Sequence, residues 1–170
     1  IHISGKQGPD GIRRALPRLS QEARNLITIE NDEMGHGLDA SLELEKDLAL
    51  VLDIHHHWIR DEEYIQATDD RVKRVIDSWR GQRPTLHYSY SRDEHLAVAG
   101  LGDNTHTQMH DIKDLLARGC KKQKLRAHSD LLPNRAVNDW ALTFLQNFDI
   151  QTEAKGKNMA QEQLLSLIHI

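Results

Sequence analysis

Five short apolar runs spread along this chain close on the side chains that bind metals. They are Ile1-His2-Ile3-Ser4, Leu26-Ile27-Thr28-Ile29-Glu30-Asn31-Asp32, Leu48 through Asp53 into Ile54-His55-His56-His57, Thr85-Leu86-His87-Tyr88-Ser89, and Phe148-Asp149-Ile150-Gln151-Thr152-Glu153-Ala154-Lys155. A run of four to six residues rich in Val, Ile and Leu reads as a buried parallel strand. In (β/α) barrels the C-terminal strand ends build the active site, so ligands far apart in sequence converge when every strand delivers His, Asp or Glu to the same rim. The pattern predicts an α/β chain forming part of a (β/α)8 TIM barrel, about five βα units, with a polynuclear metal site.

Helical stretches alternate with these runs. They are expected over about 11–23, over a short segment at 41–46, and in a longer helix carrying Val72, Val75, Ile76 and Trp79, a 3.6-residue rhythm. Further helices are expected near 110–118 and 136–146 and from about 158, with a short extension at 124–128. Strand and helix in alternation imply right-handed βαβ units and a parallel sheet. The chain opens on a strand without Met, which gives the expectation that residues 1–165 are the C-terminal portion of a barrel domain. The apolar tail 166–170 is expected to be non-native.

A net charge of −4 argues weakly against a general polyanion binder, although bound divalent cations reverse the local sign at a rim. No apolar run approaches the roughly 20 residues that cross a bilayer. The single Cys120 excludes an internal disulfide and suits a reducing, intracellular compartment.

Glu30 and Asp53 each end an apolar run, where a carboxylate faces a metal, a basic partner or the N-terminus of the next helix. Glu153 ends a third. Carboxylates crowded on one rim repel unless cations lie between them. The run Asp53-Ile54-His55-His56-His57 is the sharpest local signal. If it stays extended, Asp53, His55 and His57 share one side and His56 takes the other. Imidazole mixed with carboxylate suits Zn, Mn or Fe better than Ca. His87, His2 and His128 are weaker individually, since a lone His in a strand or loop is often only hydrogen-bonded. His36, His95, His106, His110 and His169 lie in polar surroundings and are expected to be solvated. Lys155 and Lys157 could meet a phosphate or start a helix. Phosphate loops, nucleophile elbows and His-Glu-x-x-His helices are absent from the sequence.

In this order and spacing, Glu30-Asn31-Asp32, Asp53-Ile54-His55-His56, His87 with Ser89, His128-Ser129-Asp130 and Glu153-Ala154-Lys155 resemble the C-terminal part of the UV damage endonuclease family. The opening Ile1-His2-Ile3-Ser4-Gly5-Lys6 resembles that family's strand with a metal-binding His. The resemblance implies a TIM barrel related to endonuclease IV and xylose isomerase, with divalent metals, commonly Mn2+ (Zn2+, Co2+ or Mg2+ as alternatives). It implies nicking of double-stranded DNA on the 5′ side of UV photoproducts, in an intracellular, nucleoid-associated setting.

By motif, the resemblance makes Glu30 a bridging catalytic carboxylate. It makes His2, Asp53, His56, His87, His128 and Glu153 metal ligands, with Lys155 an outer catalytic candidate near the phosphate. Thr85 stands where the family usually has Lys. The family's first three strands have no counterpart, so this span alone is expected to be inactive. Trp58, Tyr88 and Tyr90 are the aromatics left for substrate contact. A xylose isomerase-like sugar isomerase and a non-catalytic barrel fragment are the alternative functions.

Overall fold

Four of the five apolar runs become strands of one parallel sheet in the computed structural model, which describes residues 1–168. The strands β1 (Thr28–Glu30), β2 (Ala49–Asp53), β3 (Thr85–Tyr88) and β4 (Asp149–Thr152) are ordered β1-β2-β3-β4, and each adjacent pair is parallel. The fifth run, expected as a strand over 1–4, makes only a single parallel bridge from His2 to Glu30. The backbone of Glu30 donates to Ile1 O at 3.0 Å. The chain then turns away at Gly5, before a second register position can pair.

Ten α-helices connect and flank the strands among the described residues: α1 (Gly8–Ala15), α2 (Gln21–Asn25), α3 (Leu38–Leu42), α4 (Ile54–Asp61), α5 (Asp70–Ser78), α6 (Asp93–Leu96), α7 (Ile112–Ala117), α8 (Lys122–Leu125), α9 (Arg135–Leu142) and α10 (Asn158–Leu165). The single helix expected over 11–23 is broken in two by the tight turn Leu16–Arg18, where Pro17 lacks the amide donor a continuing helix needs. The helix expected over 41–46 lies earlier, at Leu38–Leu42. Val72 and Val75 on α5 are buried, as their rhythm requires. In the expected tail, Leu167 packs partly buried against the core, while His169 and Ile170 lie outside the described residues.

Register fixes which side chains share a face. Leu50 and Leu52 of β2 alternate with Val51 and Asp53. Pairing sets Ile29 beside Leu50, and Leu52 beside Leu86, which in turn sits beside Ile150. Ile29, Leu50, Leu52, Leu86 and Tyr88 are at most 1% exposed, so this face carries the helix-covered core. On the opposite face Glu30 pairs with Val51, Asp53 with His87, and His87 with Gln151. One period further on, Glu153 falls on that same side. Glu30, Asp53, His87 and Glu153 therefore stand on one face at the C-terminal ends of four adjacent strands, which are spaced about 4.8 Å apart.

Candidate metal centre

Asp53 is held by an amide that imitates a strand. The side chain of Asn31, fully buried, donates from Nδ2 to Asp53 O at 2.8 Å and accepts from Asp53 N at 2.9 Å. This continues the β1–β2 ladder beyond Glu30. Asp53 in turn caps α4, its Oδ1 accepting from His56 N at 2.7 Å. The other oxygen, Oδ2, is buried without a hydrogen-bond donor and lies 3.5 Å from His56 Nδ1. Capping and site-building are thus both functions of this one residue.

The helix begins at Ile54, so the extended alternation expected for the triple histidine does not occur. Successive helical residues point about 100° apart, and the three rings diverge. His55 turns behind the rim, where its Nδ1 accepts from Ser89 Oγ at 2.8 Å and its Nε2 lies 3.1 Å from Ser91 Oγ. His57 is wedged between Asp61 (3.0 Å) and Glu63 (3.0 Å). Only His56 reaches the acidic rim. Its Nδ1 lies 3.0 Å from Asn31 O, a bond that places the ring proton on Nδ1 and leaves the Nε2 lone pair free.

Two groups of ligand-type atoms result. Atoms from Glu30, Asp53, His87 and Glu153 all lie within 4.8 Å of one another, and so do atoms from His2, Glu33 and His56. Glu30 joins the two groups: it is 3.1 Å from His87 Nδ1, 3.4 Å from His56 Nδ1 and 3.3 Å from His2 Nε2. Glu153 approaches His87 at 3.4 Å. Glu30, Asp53 and Glu33 are each at most 6% exposed.

The rings and carboxylates perturb each other. Burial pushes the Glu30 carboxyl up, but the hydrogen bond to His87 and the nearby imidazoles outweigh it and hold it low. Asp53 goes the other way: complete burial dominates the attraction of His56 and raises it. Burial lowers His56 and His87, yet Asp53, Glu33 and Glu30 pull the first upward and Glu30 and Glu153 the second. The raised imidazoles and the lowered Glu30 carboxyl favour charge pairing at a rim where a cation would otherwise balance the carboxylates. Carboxylates from three strand ends, imidazole nitrogens interleaved with them, and an undonated Asp53 oxygen form a donor set that fits divalent metal.

The remaining expected residues lie around this core. The His128 ring is 6.3 Å from that of His56 and 5.9 Å from that of His55, and its backbone bridges to Ser91. It adjoins the rim without joining either group. Lys155 is exposed; its loop is docked by Lys155 N donating to Ser129 O at 3.0 Å and Gly156 N to Asp130 O at 2.7 Å. A Cβ on Gly156 would lie 2.4 Å from Asp130 O, so only glycine permits that approach. Thr85 lies one strand period before His87, on the ligand face.

Other expectations are corrected. Trp58, Tyr88 and Tyr90 are at most 6% exposed and form core, so they present no surface to a substrate. His110, expected to be solvated, is buried with its Nε2 3.0 Å from Thr105 O. Glu33 was not foreseen as part of the site. Its signal was three acids among the four residues that follow an apolar run, Glu30 to Glu33.

The model of the family described as UV-endonuclease UvdE matches residues 1–169. A UV-damage endonuclease of Neurospora crassa is 30% identical over 105 residues, covering 52% of this chain and 16% of that protein. One from Schizosaccharomyces pombe is 29% identical over 119 residues, covering 63% and 20%. A putative UV-damage endonuclease of Acanthamoeba polyphaga mimivirus is 25% identical over 148 residues, covering 83% and 42%. The chain therefore spans less than half the length of these curated relatives. The crystal structure of SacUVDE superposes with a TM-score of 0.66 at 17% identity, covering 99% of this chain and 50% of that one, a likeness of fold. No helix among the described residues is long and apolar enough to cross a membrane.

Proposed function

The chain belongs to the UV-endonuclease UvdE family, and from that premise we propose that it carries the metal centre of a DNA repair endonuclease, a phosphodiester hydrolase that nicks double-stranded DNA 5′ to UV photoproducts. The observation that carries the reading is the convergence of Glu30, Asp53, His87 and Glu153 beside His2, Glu33 and His56. In this reading the parallel sheet is part of a (β/α)8 barrel, and the site acts within the cell, at the nucleoid.

Divalent cations, Mn2+ first and Zn2+, Co2+ or Mg2+ as alternatives, would supply Lewis-acid charge and lower the pKa of bound water. Glu30 is the natural bridge because it touches both groups. Asp53, His56, His87 and Glu153 would hold the ions from the strand ends and from α4, and His2 from the N-terminal bridge. Asn31 fixes Asp53 and, through its carbonyl, aims His56. His128 would join from the neighbouring loop, and the exposed ammonium of Lys155 would face the phosphate.

The test is nicking of UV-irradiated supercoiled plasmid with Mn2+, by the chain alone and within the longest natural reading frame that contains it. Metal-dependent conversion to open circles, absent from unirradiated plasmid and lost in Glu30→Gln, is the expected result. No metal-dependent preference for irradiated plasmid in either form would overturn the reading.

A further inference from the structure

Arg126 differs from the other rim cations in being pinned to a buried acid. Its Nε lies 2.7 Å from Glu33 Oε1; the Glu33 side chain is 7% exposed and that of Arg126 47%. The other oxygen of the same carboxylate is 3.7 Å from His56 Nε2. One edge of the guanidinium is thus tied to the metal centre's own carboxylate, while the rest of the group stands at the surface. Its side chain donates no hydrogen bond to any described residue beyond this ion pair. Neighbouring cations are engaged at the surface: Lys122 with Glu62 at 2.7 Å and Arg92 with Glu94 at 2.8 Å. Arg126 also stands two residues before His128, on the segment that Arg92 N ties down through Ala127 O at 3.1 Å.

A planar fork of N–H donors held beside metal ligands matches a phosphate better than a mobile ammonium does. A net charge of −4 leaves the chain dependent on local cations to approach a polyanion. We propose that Arg126 is a DNA phosphate-binding residue: Glu33 anchors the guanidinium at the edge of the metal centre, and its free N–H groups take a backbone phosphate next to the bond to be cut. The contact reads neither base nor lesion, because a phosphate carries no sequence information. The inference rests on the nuclease reading above.

The experiment is the binding of a short undamaged duplex by the Mn2+-loaded chain, followed by fluorescence anisotropy from about 50 to about 200 mM salt. Relative to wild type, Arg126→Ala and Arg126→Gln are expected to raise Kd about tenfold at low salt. They should also lower the slope of log K against log salt by about one. Arg126→Lys keeps the slope because it keeps the charge. Lys46→Ala removes the same charge three residues before β2, at the opposite end of the strand from Asp53, and leaves both quantities unchanged. Mn2+ content and melting temperature are read on every variant. Wild-type binding with an unaltered slope in Arg126→Ala and Arg126→Gln overturns the inference alone. So does a loss confined to Mn2+ content or melting temperature, which marks a merely structural partner of Glu33. Absence of duplex binding by the metal-loaded wild type, both as the chain alone and within the longest natural reading frame that contains it, removes the nuclease reading and the inference with it.

Discussion

Asn31→Ala tests whether one amide holds the site's geometry. The Asn31 side chain satisfies both peptide groups of Asp53, donating to its carbonyl at 2.8 Å and accepting from its N–H at 2.9 Å. Asp53 is itself fully buried, so water cannot replace either partner without opening the strand end. Leaving a buried donor or acceptor unmade costs about 1–3 kcal/mol; for the two groups together this is about 2–6 kcal/mol. That is a large share of a domain's stability of about 5–15 kcal/mol. At about 2–4 °C per kcal/mol for a chain of this size, the melting temperature should fall by about 5–20 °C. Urea unfolding of the metal-free chain, with midpoint and slope both fitted, measures the loss. Where the variant stays folded, Mn2+ affinity should fall as well, because Asp53 and His56 both lose their positioning. A variant within about 0.5 kcal/mol of wild type, with unchanged Mn2+ affinity, would refute the reasoning.

Metal affinity should climb with pH. His56 and His87 are raised above the usual imidazole value by neighbouring carboxylates that outweigh burial, so protons must leave both rings before metal binds. Mn2+ affinity should therefore increase from about pH 6 to about pH 8, with proton release measurable by calorimetry in two buffers. The same raised rings stabilise the metal-free fold below their unfolded value, and that contribution is lost as pH rises through their folded values. The melting-temperature gain on adding Mn2+ should widen accordingly; a gain that shrinks with pH contradicts this. His55 is driven well below the ordinary value by complete burial, with His56 and His128 adding to the effect. Its ring should stay neutral, with the proton on Nε2, in nitrogen NMR spectra down to about pH 5.5; titration at its ordinary value would rule this out. Gly156→Ala places a methyl 2.4 Å from Asp130 O. It should cost about 1–3 kcal/mol and shift the His128 and Lys155 loops, seen as NMR shift changes at both; a neutral substitution would contradict the close approach.

Much of this molecule was legible because two simple periods act together. Apolar runs ending in acids or imidazoles identified four parallel strands, and the alternation within them put Glu30, Asp53, His87 and Glu153 on one face once the register was known. The triple histidine was harder. Its directions depend on whether the backbone stays extended after Asp53, and the capping bond from Asp53 Oδ1 to His56 N turns it into helix at once. Residues 1–4 looked like a strand by composition, but pairing ends when Gly5 turns the chain. Glu33 left a local trace in the acids that follow β1, but its pairing with Arg126 did not, because it joins positions 93 residues apart through loop geometry. His110 and the three aromatics were misjudged because their burial comes from partners distant in sequence, as where Tyr88 Oη donates to Asn138 Oδ1 at 2.6 Å and Tyr90 Oη to Thr105 O at 2.8 Å, a tertiary fact.

The central claim is that the converging carboxylates and imidazoles hold adjacent divalent ions. Titrating Mn2+ into the metal-free chain, with electron paramagnetic resonance as the readout, tests it most directly. More than one ion should bind per chain, with the sharp six-line signal of isolated Mn2+ broadened by coupling between neighbours. A folded chain that leaves Mn2+ free in solution, or binds it only as isolated, uncoupled ions, would contradict it.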